Sequence, residues 1–241
     1  MSKIGHELVK VIKDKEFQGI TKDLVETVID SSLAEGVFKE IPLLSTIIGT
    51  FNTVSNIKDR LFLKKLLSFL YELKSVPEAS IVEQIDKLEN ENKYRTKVGE
   101  KLLYIIDKCE DPDKASLVGT LFKVYLENKI DYDQFLSATN IIERTPLPDL
   151  LYFINADYKE LDLEGGGSEL VSYGLMEIRV STPKIEVAST SRFDNVESHI
   201  PSHQEILQDQ IKITNFNIKA YISWSGEDIR NHLKAGGTNI G

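Results

Sequence analysis

The chain has 241 residues, 41% of them hydrophobic and 28% charged, with a formal net charge of -9. That content suffices for one sizeable core or two modest ones. The negative charge works against tight nonspecific binding to nucleic acid or anionic lipid. The single cysteine, Cys109, excludes an internal disulfide and fits a reducing compartment. The N-terminal residues alternate apolar and charged side chains without the apolar run of a signal peptide, so a cytoplasmic protein is expected.

In chain order, Ile4, Leu8, Val11 and Ile12 follow helical spacing over residues 3–17, and Gly19 ends that helix. Thr21 is placed to cap the next helix, whose apolar face is Leu24, Val25, Val28, Ile29 and Leu33, with Gly36 as its stop. The stretch from Glu35 to Lys74 organises the rest. From Ile41 to Ile57 it carries no charge, and Leu44, Ile47, Ile48, Phe51, Val54 and Ile57 keep the three-then-four spacing of one helical face. The run is too short and too polar for a membrane span, which needs ~20 mostly apolar residues. Two readings stand: a buried helix of a soluble bundle, and a segment that lies on or enters a membrane. After Lys58-Asp59-Arg60, the residues Leu61 to Leu73 form a wide apolar arc, which places that helix at the centre of the fold.

Val76-Pro77 ends the central stretch. Helices are then predicted over residues 78–90, 93–109, 112–127 and 130–143. Asp111-Pro112 is a strong start signal, an acceptor cap followed by proline at the first helical position. The short connections imply antiparallel neighbours. The texture changes at Thr145-Pro146-Leu147-Pro148. Residues 149–158 still read as helix. After Gly165-Gly166-Gly167, a short helix from Ser168 ends near Gly174. Residues 175–180 alternate as a strand, residues 181–205 read as a long Ser/Thr-rich loop, residues 211–222 are strand-like, and Glu227 to Lys234 form a last helix. The fold class expected is mainly α: a multi-helix bundle over residues 1–147, then a small α+β module over residues 148–241.

The segments SELVSYGLMEIRV, NIKAYISWS and GEDIRNHLKAG resemble the end of a bacterial winged-helix domain. In that pattern a short helix closes in a Leu-x-x-x-Gly-Leu turn, a wing hairpin follows, and a capped helix ends the domain. Leu170, Gly174, Leu175, Tyr221 and Gly226 stand at the matching positions, and the insertion at about 181–205 departs from the compact wing. The acidic helical part, with YLENKIDYDQFL, more faintly resembles the tellurite-resistance protein B-like bundles of bacteria. No site residue follows from that likeness.

Chemical motifs are sparse. His199 and His203 have metal-ligand spacing, but Pro201 lies between them and no Cys or acidic pair accompanies them. Asp131 and Asp133 alternate as at the start of a calcium loop, but no turn glycine or closing acid follows, so a helix cap is expected. The triple glycine lacks the Lys-Ser/Thr of a phosphate loop. Cys109 stands among Asp107, Glu110 and Asp111, which disfavour its thiolate. No metal, cofactor or catalytic set is assigned.

The reading is a non-enzymatic cytoplasmic bacterial interaction or adaptor protein, of the kind that serves stress response or phage defence. It docks a protein partner through the bundle and the acidic winged-helix-like module. One alternative is a DNA-binding regulator, whose candidate contacts are Arg179, Lys184, Arg192, Lys212 and Arg230. After Pro148, however, acids outnumber Lys and Arg fourteen to eight, which disfavours nucleic acid. The other alternative is a membrane-acting effector that uses the 41–57 segment.

Overall fold

The computed structural model describes residues 3–27, 57–91, 98–180, 185–187, 211–213 and 218–235. The uncharged run before Ile57, the apolar positions from Val28 to Leu33 and the two histidines His199 and His203 lie outside them. Within them the protein is mainly helical, with a small three-stranded antiparallel sheet. No helix of the described residues is long and apolar enough to cross a membrane.

The chain divides into two compact units. The helical unit runs to Asp157 and is rejoined by the last helix. It contains α1 (Lys3–Lys13), α2 (Lys22–Thr27), α3 (Ile57–Glu72), α4 (Glu78–Asn90), α5 (Val98–Lys108), α6 (Pro112–Leu126), α7 (Tyr132–Arg144), α8 (Leu147–Asn155) and α10 (Trp224–Ala235). Helix starts follow local chemistry. The Thr21 hydroxyl accepts from the Leu24 amide at 3.1 Å. The Asp111 carboxylate accepts from the Lys114 amide at 2.8 Å, with Pro112 in the first turn where its missing N–H costs nothing.

Leu66, Leu67, Phe69, Leu70 and Leu73 are fully buried, as the apolar arc of α3 requires. Among the described residues, however, the most thoroughly buried helix is α6, which is enclosed from Lys114 to Leu126 at all but Ser116 and Lys123. It packs against α3, α4, α7 and α10. Its sequence hides this, because Lys114, Ser116, Gly119, Thr120 and Lys123 dilute the apolar pattern. Gly119 is why α3 comes so close. A Cβ there would lie 2.7 Å from the Phe69 carbonyl oxygen and 3.1 Å from Glu72 Cβ. Ser116 Oγ donates to Glu72 Oε1 at 2.6 Å across the same crossing. An aromatic cluster of Phe69, Phe122, Tyr125, Tyr132 and Phe135, with ring centroids 5.3–6.4 Å apart, links α3, α6 and α7.

The second unit spans Tyr158 to Ser223. Its sheet has the order β1 (Glu160–Asp162), β5 (Ile218–Ile222), β2 (Met176–Val180), all antiparallel. The short helix α9 (Gly167–Tyr173) lies between β1 and β2 in sequence. Residues 185–187, inside the expected loop, form strand β3 (Ile185–Val187), which pairs with β4 (Ile211–Ile213). The triple glycine has a steric role. Gly166 adopts a left-handed φ of 93°, and a Cβ on Gly167 would lie 2.8 Å from the Asp162 carbonyl oxygen. Gly174, also left-handed, closes α9. The Ser223 hydroxyl then donates to the Gly174 carbonyl at 2.7 Å, fixing the end of β5 to the start of β2.

Two substitutions test the α3–α6 crossing. Leu66→Ala is expected to cost roughly 2–5 kcal/mol in urea titrations. Gly119→Ala is expected to destabilise as well, although alanine favours a helix interior by about 1 kcal/mol over glycine. A Gly119→Ala protein more stable than wild type would contradict the close approach.

Candidate functional site

Several long cationic side chains of the helical unit reach carbonyls at or just beyond helix ends. The last carbonyls of a helix lack intrahelical donors and carry its negative dipole end, so an ammonium or guanidinium there is favourable. Lys65 Nζ donates to the Asp107 carbonyl in the last turn of α5 at 2.9 Å. Lys114, only 2% exposed, donates to the Glu143 carbonyl of α7 at 3.4 Å and to Glu110 at 3.1 Å. Lys15 reaches the Val76 carbonyl at 2.7 Å and that of Lys74 at 3.2 Å, beyond the end of α3.

Arg230 follows the same rule. It is 9% exposed, donates from Nε to the Phe153 carbonyl near the end of α8 at 3.1 Å, and stacks 4.3 Å above the Phe153 ring. Of the nucleic-acid candidates, Arg230 therefore serves the fold of the helical unit, whereas Arg179 belongs to the sheet unit. Lys212 stands opposite Glu186 in the β3–β4 pair. Lys184 and Arg192 lie outside the described residues.

Cys109 is buried, and its Sγ donates to the Ile105 carbonyl at 3.4 Å. Burial pushes the thiol up to about 11, against the pull of the Lys65 and Lys114 ammonium groups. A neutral, enclosed thiol is a poor nucleophile. Asp131 caps α7 in a reciprocal box: its carboxylate accepts from the Gln134 amide at 2.8 Å, and the Gln134 side chain accepts from the Asp131 amide at 2.7 Å. A cleft of about 210 Å³ opens beside it, with Lys87, Glu91, Tyr125 and Asp133 also in its lining. The Tyr125 hydroxyl is turned to the Gln84 carbonyl at 3.2 Å. No group of His, Cys, Asp and Glu among the described residues could hold a metal ion.

The sheet unit offers the most distinctive surface. On one face Arg179 donates twice to Glu177 Oε1, at 2.7 and 2.9 Å, and its guanidinium lies 5.2 Å over the Tyr221 ring. Lys219 pairs with Glu160 at 2.5 Å across the β1–β5 ladder. Hydrogen bonds from Lys219 and Tyr221 hold the Glu160 carboxyl below its usual range, and the same bond to Glu160 raises Tyr221. The opposite face begins buried at Met176 and Ala220 and then opens. Ile178 is 52% exposed, Val180 57% and Ile218 46%. Strand β2 is one of the two edge strands of the three-stranded sheet, β1 being the other, and no described strand pairs with its outer side. Strand β1 and Glu160 stand outside the elements expected from the sequence, although the alternation Glu160-Leu161-Asp162-Leu163 is a strand signal.

No family model, curated protein or solved structure matches the chain.

Two outcomes follow from this placement. Arg230→Ala is expected to lower stability by roughly 1–3 kcal/mol, since the α8 carbonyl loses its donor. Arg179→Ala, at an exposed pair, is expected to stay within about 0.5 kcal/mol. Equal losses in urea titrations would contradict the division of roles. Asp131→Ala is expected to cost about 1 kcal/mol as a lost cap, and calcium is expected to leave the melting temperature of the wild type unchanged. A calcium-dependent rise would restore the loop reading of Asp131 and Asp133.

Proposed function

We propose that this chain is a non-enzymatic adaptor that docks a protein partner through its sheet unit. The observation that carries the reading is the exposed apolar set of Ile178 and Val180 on edge strand β2, flanked by Ile218 on the neighbouring β5, with the outer side of β2 open among the described residues. Large apolar side chains at a sheet edge suit recognition by strand addition, where backbone bonds give affinity and alternate side chains give specificity. The winged-helix likeness is supported by the strand order β1-β5-β2, with a helix between the first two strands in sequence. In this reading the wing hairpin is a protein-binding element.

Electrostatics favour protein over DNA. Phosphate binding needs clustered cations free to displace counterions. Here Arg179 and Lys219 each pair with a carboxylate of their own sheet, and Arg230 is enclosed in the helical unit.

The test uses the full chain with a photo-crosslinking amino acid in place of Val180, illuminated in cells. Discrete protein adducts are expected from position 180 and not from position 104, where Tyr104 is similarly exposed on α5. The purified chain is expected to show no duplex-DNA binding at about 50 mM salt, where electrostatic binding is strong. Absence of any adduct, or micromolar DNA binding that weakens steeply with salt and is lost in Arg179→Ala, would overturn the reading.

A further inference from the structure

We propose that the open edge of β2 pairs antiparallel with β2 of a second copy of this chain, joining two three-stranded sheets into one of six. This rests on the docking reading and names its partner. The strand reads Met176-Glu177-Ile178-Arg179-Val180, and its chemistry is symmetric about Ile178 except for the sign of charge. An antiparallel pairing with the two-fold axis at Ile178 sets Met176 opposite Val180 of the other copy, Ile178 opposite Ile178, and Glu177 opposite Arg179. A closed two-fold interface must be self-complementary in this way. Opposite charges directly across an antiparallel pair attract, and like charges repel.

The surroundings suit the same geometry. Residues 177–180 of β2 are all exposed, so both faces of the strand are open to a partner. The apolar face would gain a continuous row from Ile178 and Val180 of each copy, flanked by Ile218. On the polar face, Glu177 and Arg179 already pair within the strand and lie 48% and 60% exposed, so exchanging partners across the axis keeps both charges satisfied. Lys219, opposite Arg179 in the ladder, is paired to Glu160 and so adds little repulsion. Edge strands commonly use charge to block self-association. Two like charges would do that here, whereas one acid and one base at two-fold-related positions do the reverse. Five paired residues a side fall short of the ~1,200–2,000 Å² of a standard stable interface. The association is therefore weak and concentration-dependent.

The test is sedimentation of the purified full chain over a concentration series up to roughly 1 mM, the weak end of measurable affinity. Wild type is expected to pass reversibly from monomer to dimer. Glu177→Arg alone and Arg179→Glu alone each set like charges across the axis. Each is expected to weaken the dimer about tenfold or more. An equimolar mixture of the two single variants restores complementarity and is expected to recover dimer, as is the double exchange Glu177→Arg/Arg179→Glu within one chain. Ile178→Asp is expected to abolish it. Far-UV circular dichroism matching wild type shows that each variant is folded. A wild type that stays monomeric throughout, or a dimer indifferent to Glu177→Arg, Arg179→Glu and Ile178→Asp, overturns the proposal. If position 180 crosslinks to a different protein while the chain stays monomeric, self-pairing fails and the docking reading stands. If neither crosslink nor dimer appears, both fail.

Discussion

The backbones of α3 and α6 meet at Gly119, and the rest of the helical unit is arranged around that contact. Without a side chain at 119, the Phe69 carbonyl can sit against the α6 backbone, and Glu72 can accept from both Ser116 and Thr120. Close approach lets the Phe69 ring pack, tilted, against Phe122, which carries the aromatic cluster on to Tyr132 and Phe135 of α7. Burial of that cluster supplies a large hydrophobic gain, but its geometry depends on a glycine. A wider crossing would leave gaps that neighbouring side chains could not fill without strain.

A second constraint follows from enclosing helix ends inside such a unit. Buried terminal carbonyls need donors. The chain meets this need with the long cationic side chains of Lys15, Lys65, Lys114 and Arg230. These groups contribute charge to the composition but are engaged inside the fold. This engagement separates Arg230 from Arg179, which look alike in sequence and serve different units.

Much of the helical organisation was legible in the sequence. The spacing in α1 and α4, the Asp111-Pro112 start of α6, the Asp131 cap and the Gly174 stop each express a local rule that the backbone follows. The parts that were hidden depend on contacts distant in sequence. Lysines and hydroxyls obscure the burial of α6, because their partners come from α3, α7 and the turn before α6. β1 is three residues long, too short for alternation to stand out. β3 lies within a Ser/Thr-rich stretch that reads as loop, and only its partner β4 gives it strand geometry. The packing of α10 on α8 was equally invisible, since 77 residues separate Arg230 from Phe153. The candidate surface was half legible. Alternation from 175 to 180 is plain, but which edge stays open depends on the β1-β5-β2 order.

The decisive measurement is amide hydrogen exchange of the full chain at low and high protein concentration. The account predicts that amides around Phe69 and Gly119 exchange slowest at both concentrations. It predicts that the outward amides of Met176–Val180 exchange quickly when dilute and become protected when concentrated. Protection of β2 equal to that of α6 at low concentration, with no change on concentrating, would show that its edge is already covered and would contradict the account.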